Sequence, residues 1–230
     1  QHNARRVGLI PNQKQSRNRI SFIIFGLIGA LTLSSCGKSS ETFLAFKEDG
    51  VFTTVPKTWH EISATQLSDF EAKSTDAGAA ERLAAVKWQI AYSPDSKITP
   101  KEVFSLAPQE SPIVFLRIRN LYPSEVNAVS FNSLRDIVLP LSSWIDGSLT
   151  APKFTLISDE NFKDKGATGI RTIYTFAASN EILETMNQTV ALSADRTVLY
   201  VLIIRCSATC YTQNQSSLDK IGNSFTIRGK

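Results

Sequence analysis

Along this chain, apolar residues that alternate with polar ones at a period of two predict strands, and those that recur every three to four residues predict helices. Two β-rich runs, residues 42–46 and 51–55, flank Glu48-Asp49-Gly50, where Asp-Gly is a strong hairpin signal. Pro56 closes the second run, because proline has no N–H to give a ladder. Asp76 stands where it can cap a helix over residues 77–85, after which Val86, Trp88, Ile90 and Tyr92 alternate as a strand does. Residues 112–119 (PIVFLRIR) predict a strand from their β-branched and aromatic content. Ser130 then precedes Phe131, Leu134, Ile137, Val138 and Leu141 at helical spacing, with Pro140 set to end or kink that helix.

The second half is dominated by strands, predicted over residues 153–158, 169–178, 183–192 and 197–206. Ile170, Thr172, Tyr174 and Phe176 share one face of their strand. The run TVLYVLII is nearly all apolar, as a central strand covered on both faces would be. Asp159, Glu160, Lys163, Asp164 and Lys165 form a charged stretch that predicts a solvated turn. Residues 212–221 predict a last amphipathic helix with Leu218 and Ile221 inward, and residues 224–228 a closing edge strand with Phe225 and Ile227 inward. The layout predicts an α+β fold, an antiparallel β-sheet flanked by helices, in a single domain over residues 42–230.

Charge changes the picture at the N-terminal end. Residues 20–33 carry no charge, whereas the nineteen residues before them carry Arg5, Arg6, Lys14, Arg17 and Arg19 and no acid. A basic stretch followed by fourteen uncharged residues fits an export signal, whose apolar run is about 7–15 residues, and falls short of the about 20 that span a bilayer. Leu33-Ser34-Ser35-Cys36 then resembles the bacterial lipobox. The resemblance implies that residues 1–35 are a signal peptide, that Cys36 takes the lipid, and that residues 36–41 are a short tether. The protein would be a lipoprotein of the cell membrane, lipid-anchored on the extracytoplasmic side. An uncleaved N-terminal membrane helix is the competing reading. Arg5-Arg6 lies too far ahead of the apolar run for a twin-arginine signal.

The sequence has 25 bases against 21 acids and a pI of about 9.0. Five bases precede Cys36, so 20 face 21 acids beyond it and the basic balance belongs to the leader. A nucleic-acid partner is therefore excluded on charge, since the basic footprint is missing from the domain. The partners expected are the membrane, through Cys36, and an envelope protein or small ligand. With Cys36 acylated, Cys206 and Cys210 remain as an even pair. Outside the cytoplasm they read as a disulfide, provided the chain turns between them, because four residues of extended strand would hold their Cα atoms too far apart. A metal pair is the alternative, but it would need further ligands, and the only histidine beyond the leader, His60, is distant in sequence.

Val55-Pro56-Lys57-Thr58-Trp59, the apolar strand 197–204 and the terminal Leu218-Asp219-Lys220-Ile221-Gly222-Asn223-Ser224-Phe225 resemble the PsbP-like α/β/α sandwich. The likeness covers most of residues 42–230. It implies the fold, but the family spans photosystem subunits, a small-GTPase partner and lipoproteins, and it offers no shared catalytic residues. His60 is the first suspect for a general base, yet nothing ties a particular serine or aspartate to it. Trp59, Trp88 and Trp144 suit a core or its edge before a binding surface. There is no phosphate loop, Gly-x-Ser-x-Gly elbow, His-Glu-x-x-His or Cys-x-x-Cys, so no catalytic set, cofactor or metal site is expected. A non-enzymatic binding or assembly module of the envelope is the leading reading, and a tethered hydrolase using His60 its rival.

Overall fold

The computed structural model describes residues 39–230, so the expected signal peptide, residues 1–35, and the expected lipidation site Cys36 lie outside the described residues. The predicted hairpin forms between Glu41–Phe46 (β1) and Val51–Pro56 (β2), with Thr42 opposite Val55 and Phe46 opposite Val51. It turns through Gly50, whose φ of 61° is left-handed, and a Cβ there would stand 2.7 Å from the Gly229 carbonyl. Beside the turn, buried Asp49 is held by Lys87, whose Nζ lies 3.1 and 2.9 Å from its two oxygens.

His60–Ile62 (β3) leads into Ala64–Glu71 (α1), which the sequence reading missed. A reciprocal box starts α1: Gln66 N–H donates to Ser63 Oγ and Ser63 N–H to Gln66 Oε1. Ala79–Ala84 (α2) follows, then Val86–Ser93 (β4), so the predicted passage from helix to strand is present. The expected Asp76 cap is not made. Gly78, left-handed at φ 77°, stands at the helix entrance, and Asp76 accepts through its backbone carbonyl from Ala79 N–H. Pro100–Phe104 (α3) and Ile113–Asn120 (β5) come next. The single helix expected after Ser130 is two, Phe131–Arg135 (α4) and Leu141–Ile145 (α5), because Pro140 cannot sit inside a helix and stands just before the second. Phe154–Lys163 (β6), Ala167–Ala177 (β7), Leu183–Ser193 (β8) and Val198–Ser207 (β9) form the strand-rich half, followed by Ala208–Ser224 (α6) and Thr226–Ile227 (β10).

The charged stretch expected as a turn belongs largely to a strand. Asp159, Glu160 and Lys163 lie in β6, paired with Thr172, Arg171 and Thr168 of β7, and the turn is confined to residues 164–166. β6 is an edge strand and mostly exposed, so its polar side chains meet water without leaving the ladder. A register shift between Leu156 and Ser158 kinks that edge.

All pairings are antiparallel, in two sheets: β1-β2-β10, and the seven-stranded β3-β4-β5-β9-β8-β7-β6. The closing strand thus joins the hairpin, with Thr226 opposite Phe52, and not the main sheet. Strand β9 has every residue buried and divides the interior by parity. Tyr200, Leu202 and Ile204 pack with Val114, Leu116 and Ile118, under Leu218 and Ile221 of α6 and Val51 and Val55 of β2. Leu199, Val201 and Ile203 face the other way, with Tyr174, Phe176 and Met186, under Leu134 of α4 and Leu141 and Trp144 of α5. A third cluster, Ile62, Leu67, Ala91, Val103 and Ile113, lies beneath α1 and α3. Each fully buried leucine or isoleucine contributes about 1.5–3 kcal/mol. Gly169 allows β7 its close approach, since a Cβ there would fall 1.9 Å from the Val190 carbonyl of β8. The architecture is α+β, an antiparallel sheet flanked by helices.

Candidate binding cleft

Helices cover the second face of the main sheet at two places and leave hollows between them, floored by β5 and β9, whose Val201 and Ile203 are themselves 6% and 7% exposed. α1 and α3 cap one side, α4 and α5 the other, and Phe115 of β5 packs against both clusters. Alternation along β5 brings Phe115, Arg117 and Arg119 to this face, and alternation along β9 brings Val201, Ile203 and Arg205. Two hollows result, of about 440 and 570 Å³, sharing Arg82, Phe104 and Arg117 as lining. Each is within the range of about 300–1,000 Å³ typical of small-ligand sites.

Three arginines of the floor are tied into the fold. Arg117 donates through Nε and Nη2 to Gln89 Oε1, at 3.0 and 2.6 Å, and through Nη2 to Glu71 Oε1 at 2.5 Å. Its guanidinium lies 5.3 Å from the Phe104 ring and 5.1 Å from that of Phe115. Arg119 grips Glu125 with two bonds of 2.7 and 2.8 Å and stacks 3.9 Å above Tyr122. Burial pushes the Glu125 carboxyl up, but hydrogen bonds from Arg119 and the Tyr122 N–H outweigh it and hold the group below the usual carboxylate range.

Arg205, 3% exposed, donates to Glu184 Oε1 at 3.0 Å and to the carbonyls of Glu102, Ser105 and Ala107 at 2.6, 2.5 and 3.3 Å. Glu184, fully buried, also accepts from Gln109 N–H. Burial pushes the Glu184 carboxyl up to about 7, with Arg205 and the Gln109 N–H limiting the rise and Glu110 adding to it. This pair fastens the segment 102–109, one wall of the cleft, to the end of β8 and β9.

Two cations at the lip differ. Arg82 is exposed on α2, where its Nη1 donates to the Ala77 carbonyl, and Lys73 is exposed beyond α1. Among the described residues neither forms an ion pair. In the smaller hollow Lys73, Arg82 and Arg117 face the single carboxylate of Glu71.

His60 is exposed at the start of β3 and lies outside this cleft. Its register partner is Ser93, which is buried and whose Oγ accepts from Asp95 N–H. Among the described residues no hydrogen bond to the His60 side chain joins it to a serine or a carboxylate. Trp144 packs against Phe154 and Phe176, Trp88 stacks on Phe46, and Trp59 borders the first core, so none lines the cleft. Cys206 and Cys210 are joined where β9 gives way to α6, with Cα atoms 5.8 Å apart. Ser207 makes that turn, its Oγ accepting from Cys210 N–H to cap the helix. No group of three or more metal-ligating side chains forms among the described residues. The cleft arginines were missed in the sequence, although two arginines at alternate positions of an otherwise apolar strand, PIVFLRIR, are a signal that one face is not ordinary core.

No family model matches this chain, and no curated protein matches it. Among solved structures it is similar to the cyanobacterial PsbP (CyanoP) of Synechocystis, with 12% identity over 84% of this chain and 95% of that one, and a TM-score of 0.45. It is also similar to LpqN of Mycobacterium tuberculosis, described as involved in cell envelope biogenesis, with 12% identity, coverage of 81% and 90%, and a TM-score of 0.44. The Ran-binding protein Mog1p of Saccharomyces cerevisiae is similar at 11% identity, coverage of 82% and 96%, and a TM-score of 0.41. The α+β assignment rests on the strand order itself.

Proposed function

We propose that this chain is a bacterial lipoprotein, held at the extracytoplasmic side of the cell membrane by lipid on Cys36, whose domain is a non-enzymatic binding or assembly module of the envelope. The lipoprotein reading is supported by the basic stretch, the uncharged run and Leu33-Ser34-Ser35-Cys36. Among the described residues no helix is long and apolar enough to cross a membrane. The binding reading is carried by one observation, the pair of adjoining hollows between the helical caps. A hydrolase needs a base and a nucleophile converging on one substrate position, and His60 lies away from the cleft with no such partner.

Each half of the reading has its test. Metabolic labelling with a fatty-acid probe should mark the wild type and not Cys36→Ser, and label retained on the variant defeats the anchor. A photo-crosslinking residue at Leu106, 42% exposed on the cleft wall, should capture a defined adduct in whole cells, whereas one at Leu149, fully exposed and away from the cleft, should not. Equal capture from both positions would sink the cleft as the binding surface.

A further inference from the structure

Resting on the reading of the cleft as a binding site, we infer that it takes a small amphipathic anion, with the acidic group held by Arg82, Lys73 and Arg117 and the apolar body lying along Phe115, Val201 and Ile203. Three cations against one carboxylate give the smaller hollow an excess of two positive charges, whereas the chain from Cys36 onward carries 20 bases against 21 acids. Positive charge is thus concentrated in a concave site of a near-neutral domain, where an anion gains most.

The donors are also available. Glu71 is engaged on both oxygens, accepting from Arg117 at 2.5 Å and from Gln89 at 3.0 Å, so it does not neutralise the lip. Arg117 Nη1, Arg82 Nε and Nη2, and Lys73 Nζ make no hydrogen bond among the described residues, which leaves charged donors unengaged on three residues that line one hollow. Beside them Phe70 stacks on Phe104 with ring centroids 5.8 Å apart, and Phe70 remains 40% exposed. From Phe104 and Arg117 the lining passes into the larger hollow, where Ile137 and Val138 stand across from Phe115, Val201 and Ile203. An acid at one end and an apolar stem along the floor would cover both surfaces, and a polyanion such as a nucleic acid would meet the balance of the rest of the domain.

The test uses the full lipidated chain in phosphatidylcholine nanodiscs, with empty discs as the blank, titrated calorimetrically with octanoate and with uncharged octanol. Octanoate should bind saturably at one site and octanol about tenfold more weakly, the scale of one lost charge-assisted contact. Lys73→Gln with Arg82→Gln should weaken octanoate by about tenfold, leave octanol unchanged and leave the melting temperature unchanged, both residues being exposed. Arg82→Lys should restore part of the loss. Octanol binding as tightly as octanoate, with the double variant indifferent, overturns the anionic class while the cleft stands as a binding site. No octanoate binding, with capture through position 106 retained in cells, overturns it as well and points to a protein in the cleft. Loss of both signals takes down the binding reading along with it.

Discussion

At Glu184 a charge meets an interior that disfavours it. Folded, the carboxyl titrates at about 7, and its ordinary value is 4.5. Between those values the folded chain binds the extra proton, so this group's stabilising contribution is fully present below about pH 4.5 and is lost as pH rises through 7. The groups facing it are Arg205, Glu110 and the Gln109 N–H. Glu184→Gln stays neutral throughout and should flatten that fall. Urea midpoints at pH 5 and pH 8 should therefore differ less in the variant than in the wild type, and equal differences would remove Glu184 as the source. None of this is legible in the sequence, because Glu184 and Arg205 meet only through the register of β8 against β9, where Met186 lies opposite Arg205.

At the scale of elements, the β9 to α6 junction is where strand, cap and sulfur chemistry coincide. Replacing both Cys206 and Cys210 by serine should cost about 2 kcal/mol by the chain-entropy model for so short a loop. The fold should survive, since Leu218 and Ile221 still seat α6. Denaturant melts read the cost, and complete unfolding of the double variant would show that the bridge does more than close a short loop. The elements legible in sequence were those with strong local signals. Strand β9 is apolar from Val198 to Ile204, Asp-Gly marked the hairpin, and Leu218 and Ile221 fixed the inner side of α6. Helices α1 and α3 were missed because each buries one residue, Leu67 and Val103, too few to set a period. Their start signals were nonetheless present, Ser63 with Gln66 and Thr99-Pro100 with Glu102. β6 was cut short because its side chains meet water on most positions, so polarity there says nothing about pairing.

Across the whole molecule, β9 supplies one set of residues to the core under α6 and the alternate set to the core under α4 and α5. Neither core can come apart while the other stays formed, so the domain should unfold in one transition, with calorimetric and van't Hoff enthalpies equal. Two resolved transitions would mean that the cores are separable. The cleft, in contrast, was beyond the sequence: it exists only because the α1–α3 and α4–α5 caps stop short of each other, a matter of placement that no local pattern records. The wall fastened by Arg205 has a further consequence in the time domain. Amide protons of the β9 interior, Leu199 to Ile204, can reach solvent only when the entire structure opens, so their deuterium uptake should be the slowest among the described residues and should track total stability. The Gln109 N–H, which donates to Glu184, and the Ser207 N–H, which donates to the Gln109 carbonyl, require only that one wall swing free. Their uptake should be faster and, relative to the intrinsic exchange rate, should quicken as pH rises through 7 and Glu184 takes on a charge that its buried site disfavours, so that two amides keep time for the doorway while the interior of β9 keeps time for the whole molecule.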